Sequence, residues 1–169
     1  KSELAQLNRL TEITTDRTMV LDATAIRNLE LVRNMKDGTK KGTLLDILDY
    51  TATAMGARLM RQWIESPLYD AARITSRQQA VGTLVGDSRL RTELGEALKK
   101  ITDLERILSR IEVGSANARD MASLRTALLA VPDLKRLLAP YRDGLLAKLS
   151  SRIDSHETVL DELRRGIVD

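Results

Sequence analysis

The sequence predicts a mainly α fold, an irregular multi-helix bundle with a small β element near the N-terminus. Apolar residues recur at three- and four-residue intervals through almost everything after Thr43, the spacing that gathers them on one side of a helix. The 169 residues include no Phe, three Tyr and the single Trp63, so the core must be built from Leu, Ile, Val, Met and Ala, a palette suited to packed helices. Ser, Thr, Asp and Gly stand at the breaks between apolar stretches, where helix caps and stops are needed. A chain of this length suffices for one large domain or two small ones and buries roughly two-thirds of its unfolded surface.

Leu4, Leu7 and Leu10 keep helical spacing and read as the tail of a helix begun upstream. Thr18-Met19-Val20-Leu21 is a short strand candidate, and Leu29-Glu30-Leu31-Val32 alternates as a second strand pairing with it. Between them Asp22 caps a brief helical turn through Asn28, and Lys36-Asp37-Gly38 is a turn. Leu44, Leu45, Ile47 and Leu48 form one buried side of a short helix. Met55, Leu59 and Trp63 stack one above the next on a second helix, flanked by Met60 and Ile64, and Ser66-Pro67 ends it. That spacing puts Trp63 in the core, so its replacement by Ala is expected to destabilise the chain. The alternative is that Met55, Met60 and Trp63 form an exposed partner-binding stripe.

Thr75-Ser76-Arg77-Gln78 reads as a capping box opening a helix that buries Val81, Leu84 and Val85 and stops at Gly86-Asp87. Asp87 caps a helix running through Lys99 and Lys100. Thr102-Asp103-Leu104-Glu105 is a further capping box; Ile101, Leu104, Leu108 and Ile111 share one face of the helix that follows, and Gly114 terminates it. Met121, Leu124, Leu128 and Val131 stripe the next helix, whose end is marked by Pro132. Leu134, Leu137 and Leu138 form a short helix before Pro140. Leu145, Leu146, Leu149 and Ile153, then Val159, Leu160, Leu163 and Ile167, make one or two more. No fixed period recurs, which argues against a solenoid.

The net charge of +3 is spread along the chain. Only residues 71–100 lean basic, with Arg73, Arg77, Arg89, Arg91, Lys99 and Lys100 against Asp87, Glu93 and Glu96. The concentrated basic stripe with stacking aromatics that marks many nucleic-acid binders is not visible, so composition gives only weak support for direct DNA contact. With no Cys there are no disulfides, thiolate metal sites or Cys nucleophiles, which is compatible with the cytosol. No apolar run is long enough to span a membrane, and the N-terminus lacks a signal-peptide pattern. Starting at Lys1 without Met and stopping at Asp169 without a closing element, both ends read as cuts in a longer protein.

Gly38-Thr39-Lys40-Lys41-Gly42-Thr43 echoes a phosphate-binding loop, but no Lys follows the second Gly, and a polar turn leading into a helix is the better reading. His156, the only histidine, sits between Ser155 and Glu157 at an apparent helix start, without neighbours that would make a nucleophile, base and orienter. One His and no Cys leave a zinc site improbable. The carboxylate pairs Asp46/Asp49, Asp103/Glu105 and Asp161/Glu162 could do acid–base work or bind a hard cation, yet in Arg-rich helices they read as caps and ion-pair partners. No catalytic, cofactor-binding or metal residue is singled out. The residues say scaffold.

Leu21-Asp22-Ala23-Thr24-Ala25-Ile26-Arg27-Asn28-Leu29-Glu30-Leu31 resembles the segment that opens the core domain of the MutS family of DNA mismatch-repair proteins. The likeness continues through Gly42-Thr43-Leu44-Leu45, Leu48-Asp49, the run from Thr53 to Ile64, and Pro67-Leu68. It resumes at Asp103-Leu104-Glu105-Arg106, Arg110, Gly114, Ala116, Arg119-Asp120 and Val131-Pro132. Ala54 departs from a proline and Asp46 from an aromatic or apolar residue common in that family; neither change removes a functional group. The motifs run from about Met19 to Leu138, and beyond Pro140 the likeness rests on helical character alone.

The resemblance implies a dimeric parent, cytoplasmic and nucleoid-associated when bound to DNA, with no membrane role. Such proteins recognise mismatched double-stranded DNA, use ATP and Mg as DNA-dependent ATPases, and recruit MutL. It implies that residues 1–17 end a linker helix from the preceding domain, 18–140 are the core (domain III), and 141–169 are lever-type helices leading toward a clamp domain. The wedging Phe of the family has no counterpart in a chain without Phe, and its ATPase loop is not found either. The segment is therefore expected to be a non-catalytic scaffold without its own cofactor, coupling ATPase, connector and clamp. Two alternatives stand beside it: the same domain of a relative acting on other DNA structures, and a helical protein–protein adaptor.

Overall fold

The computed structural model describes residues 18–167, and the helix expected over the first dozen residues lies outside them. The described residues form helices α1 (Ala23–Asn28), α2 (Leu44–Leu48), α3 (Ala54–Glu65), α4 (Ala71–Gly86), α5 (Ser88–Lys99), α6 (Leu104–Glu112), α7 (Ala118–Leu138), α8 (Gly144–Arg152) and α9 (Glu157–Gly166). The mainly α expectation holds, but the small β element does not. Among the described residues the only β pairing is an isolated bridge from Thr18 to Leu68, beside a hydrogen bond from the Met19 N–H to the Pro67 carbonyl (2.7 Å).

Residues 29–32 are turn rather than strand because their backbone is committed elsewhere. Glu30 sits at φ +46°, and the carbonyls of Glu30 and Leu31 accept from the N–H groups of Leu44 (3.3 Å) and Leu45 (2.9 Å) at the start of α2. Those are donors that a helix leaves unsatisfied at its first turn. Thr43, almost wholly buried, closes the same junction: its hydroxyl donates to the Lys40 carbonyl (2.6 Å) and accepts from the Asp46 N–H (3.1 Å).

Leu31, Val32 and Leu45 make a small apolar cluster with Leu21, Ile26, Met60 and Ile64 packed on it. Leu45 is the one buried residue of α2; Leu44, Ile47 and Leu48 are exposed, contrary to the single buried side expected there. On α3 it is Met60 and Ile64 that face this cluster, while Leu59 (46% exposed) and Trp63 (39% exposed) do not. The stripe therefore lies one position round the helix from the one the sequence spacing suggested.

The remaining helices gather about α7, which packs on α5, α6, α8 and α9. Ile107 of α6, Leu124 and Leu128 of α7 and Leu160 of α9 form one core cluster, with Met121 and Val131 against it. Leu90 and Ala97 of α5 with Leu137 of α7 form another, with Leu84, Leu94, Leu134 and Tyr141 around it. Pro132 does not end α7. It lies inside a 21-residue helix, and the apolar stripe keeps its phase from Leu124 through Val131 to Leu138. The short helix expected before Pro140 is the last turn of α7. In α6, Ile107 is the core residue, and Leu108 and Ile111 are exposed.

Caps account for most helix starts. Asp22, Asp87 and Gly114 act as expected: Asp22 accepts from the Ala25 N–H, Asp87 from the Leu90 N–H, and Gly114 takes φ +69° after α6. Helix α4 starts four residues before the expected capping box, because the Asp70 carboxylate accepts from Ala72 (2.9 Å) and Arg73 (3.2 Å); Val81 and Val85 are exposed on it. Before α6 the cap is Asp103 rather than Thr102, whose hydroxyl donates instead to the Ser123 carbonyl of α7 (3.3 Å).

Candidate functional site: an ion-paired helix junction

A chain of ion pairs joins the middle of α3 to the start of α6, and the end of α6 to the start of α7. Arg58, in the middle of α3, spreads its guanidinium over the start of α6. Nη1 and Nη2 donate to the two Asp103 oxygens (2.9 and 2.6 Å), and Nε donates to Glu105 Oε2 (2.8 Å). The planar five-donor fork of Arg suits this grip on two carboxylates, which a Lys could not reproduce. Asp103 also caps α6 by accepting from the Arg106 N–H (3.4 Å), so one side chain both starts a helix and ties it to another.

One helix further on the device repeats. Arg110, in the last turn of α6, holds Asp120 in two bonds (2.9 and 2.5 Å). Asp120 is buried and is half of a capping box with Asn117 that opens α7. Positions 58, 103, 105, 110 and 120 thus link three helices in series. No sequence spacing of three or four residues could have paired Arg58 with Asp103, which are 45 positions apart. Arg77 of α4 lies over the Trp63 ring at 3.7 Å, adding a contact between α3 and α4.

These pairings set the acid–base behaviour of the carboxylates. The Arg58 guanidinium holds Asp103 below its ordinary value of 3.8, and Arg110 does the same for Asp120. Lys40, 2.6 Å away, and then the Thr51 hydroxyl lower Asp49 to about 2. A depressed folded value means that the pairs stabilise the fold above the unfolded carboxylate range and lose that contribution as pH falls through it. The melting temperature is therefore expected to be level from neutral pH to about 5 and to drop between about 4 and 2. Asp103→Asn, which keeps a capping oxygen, should flatten part of that acid limb, and a melt series over pH by circular dichroism checks both. An unchanged limb in the variant would show that the Arg58 pair is silent.

The other residues weighed from the sequence fall into structural places. Asp46 accepts from the Gly42 N–H (3.0 Å), so the Gly38–Thr43 turn already holds a carboxylate where a phosphate loop would offer donors. Asp161 pairs with Arg164 (3.2 Å). His156 is exposed at φ +48° ahead of α9, its backbone N–H donating to Asp154 (2.9 Å). Among the described residues no group of three or more His, Asp or Glu is gathered to hold a metal, and no helix is long and apolar enough to cross a membrane.

A family model described as MutS domain III matches residues 24–169. The chain belongs to the MutS domain III family. It is 41% identical over all of its length to the DNA mismatch repair protein MutS of Exiguobacterium sp., covering 20% of that relative. It is 44% identical over 89% of its length to the protein of the same name from Symbiobacterium thermophilum, covering 17% of it. With the relative from Alkaliphilus oremlandii it shares 43% identity over its whole length and covers 19%. The chain thus spans about a fifth of the length of these MutS relatives. The junction residues Asp103, Glu105, Arg110 and Asp120 all lie among the positions whose order first resembled this family.

Proposed function

We propose that the chain is the helical core and lever segment of a MutS-type protein that recognises mismatched duplex DNA in an ATP-dependent manner, and that it catalyses no step itself. In this reading residues 18–140 form the core, 141–169 lead toward the clamp, and 1–17 end the linker from the preceding domain. The parent is a homodimeric, cytoplasmic, DNA-dependent ATPase that uses ATP and Mg and recruits MutL. The observation that carries the lever role is the run of ion pairs from α3 through α6 to α7. Each pair fastens a helix terminus to its neighbour, so a displacement of one helix is passed to the next, and α6 and α7 also pack directly. That supports transmission of nucleotide state to the grip on DNA. The carboxylates at 46, 49, 103, 105 and 161 are engaged by helix caps or by Lys and Arg, which supports a scaffold.

The test is a chimaera in which these 169 residues replace the matching stretch of the Exiguobacterium relative. Preferential binding of a G·T duplex and ATP-triggered release are expected to survive, and Arg58→Gln in the chimaera is expected to slow release several-fold while mismatch binding persists. The chain alone should show neither ATP turnover nor mismatch preference. A chimaera blind to mismatches, or turnover by the chain alone, overturns the reading.

A further inference from the structure

We infer that the cationic groove between α4 and α8 is a contact site for the phosphate backbone of duplex DNA. Arg73 and Arg77 stand one turn apart on α4, and Lys148 and Arg152 one turn apart on α8. The two helices pack together, and the four side chains line one open groove of about 560 Å³ with Ser76 and Leu145. Only two of the four belong to the basic stretch visible in the sequence, because the fold brings the other pair from 75 positions away (Arg73 to Lys148).

Like charges one helical turn apart disfavour a helix, and here two such pairs face each other. Neutralisation within the chain is slight. Arg73 approaches Asp70 only to 3.7 Å, and Arg77 rests on the Trp63 ring, which holds a cation without cancelling its charge. Lys148 and Arg152 have no ion-pair partner among the described residues. Elsewhere Arg58, Arg61, Arg110 and Arg164 each have a carboxylate within 3.2 Å. Burial, and then the charge of Arg73 one turn away, pull the Arg77 guanidinium below its ordinary value. An external polyanion relieves this repulsion.

The lining decides which polyanion. Protein–protein interfaces place apolar residues at their centre, whereas protein–DNA interfaces are more polar and much more positive. Four cations and Ser76 line this groove, whereas Ala23, Ile26, Val32 and Met35 line much of the depression between α1 and α3. Arg and Lys at such spacing meet phosphates and read no base edge, so matched and mismatched duplexes should bind alike. The choice of DNA rests on the mismatch-repair reading above.

The experiment is fluorescence anisotropy of the chain with a fully matched duplex across a salt series. Lys148→Glu/Arg152→Glu is expected to weaken binding at least about tenfold at low salt and to make the salt slope shallower by about 2, the change for two lost phosphate contacts. Lys36→Glu/Lys100→Glu, of equal net charge but outside the groove, should retain most of the affinity. Melting curves confirm that each variant folds; Lys148→Gln/Arg152→Gln replaces the first should it not. Absence of duplex binding, equal losses in both variants, or displacement of the duplex by polyglutamate at matched charge overturns the inference. An active chimaera with a silent groove removes only this inference, whereas groove-dependent binding beside an inactive chimaera removes the mismatch-repair reading.

Discussion

Replacing Ile107 by Ala is expected to lower the unfolding free energy by about 2–5 kcal/mol, the range for emptying a buried aliphatic position. Ile107 is 3% exposed and touches a cluster supplied by α7 and α9, so the loss falls where three helices meet. The surrounding Leu124 and Leu128 of α7 and Leu160 of α9 are themselves buried and cannot all collapse into the space. Urea unfolding followed by circular dichroism reads the effect as a lower midpoint with an unchanged slope. Trp63→Ala is the informative contrast. Trp63 is 39% exposed and its ring is held by Arg77, so the cost should be only about 1 kcal/mol. A larger loss at 63 than at 107 would show that the core has been placed on the wrong helices.

Pro132→Ala is expected to stabilise the chain by up to about 3 kcal/mol, the cost of a proline in a helix interior. Pro132 has no N–H to give the Leu128 carbonyl, and its ring crowds that same carbonyl, yet α7 runs on to Leu138. The helix persists because both halves are anchored, Leu124 and Leu128 in one cluster and Leu137 in another. Side-chain packing outweighs the local penalty, and removing the penalty should leave the packing intact. Thermal melting of the variant measures it, and a fall in melting temperature would mean that the proline shapes the helix that the neighbours need.

The structure follows local signals wherever a short-range interaction decides it. Asp22, Asp87 and Gly114 cap or stop helices as their residue types require, and Ser66-Pro67 ends α3. The structure departs from those signals where a local preference meets a competing partner. Thr75 looked like a cap, but Asp70 reached the free N–H groups first. The Leu29–Val32 alternation looked like a strand, but its carbonyls satisfy the start of α2. Pro132 has the residue type of a stop, but the apolar phase runs unbroken across it and outweighs it.

The helical class, the caps at Asp22 and Asp87, the stop at Gly114 and, through the order of its motifs, the family are legible along the chain, because caps and apolar periodicity act over a few residues. Which side of each helix faces inward is a matter of tertiary packing, since α3 and α6 carry apolar residues on more than one side and their neighbours choose among them. Such packing is the partner-choosing step throughout. It alone joined Arg58 to Asp103 and Glu105, and Arg73 and Arg77 to Lys148 and Arg152. Those groupings depend on how helices distant in sequence pack, and no spacing along the chain encodes a separation fixed by packing.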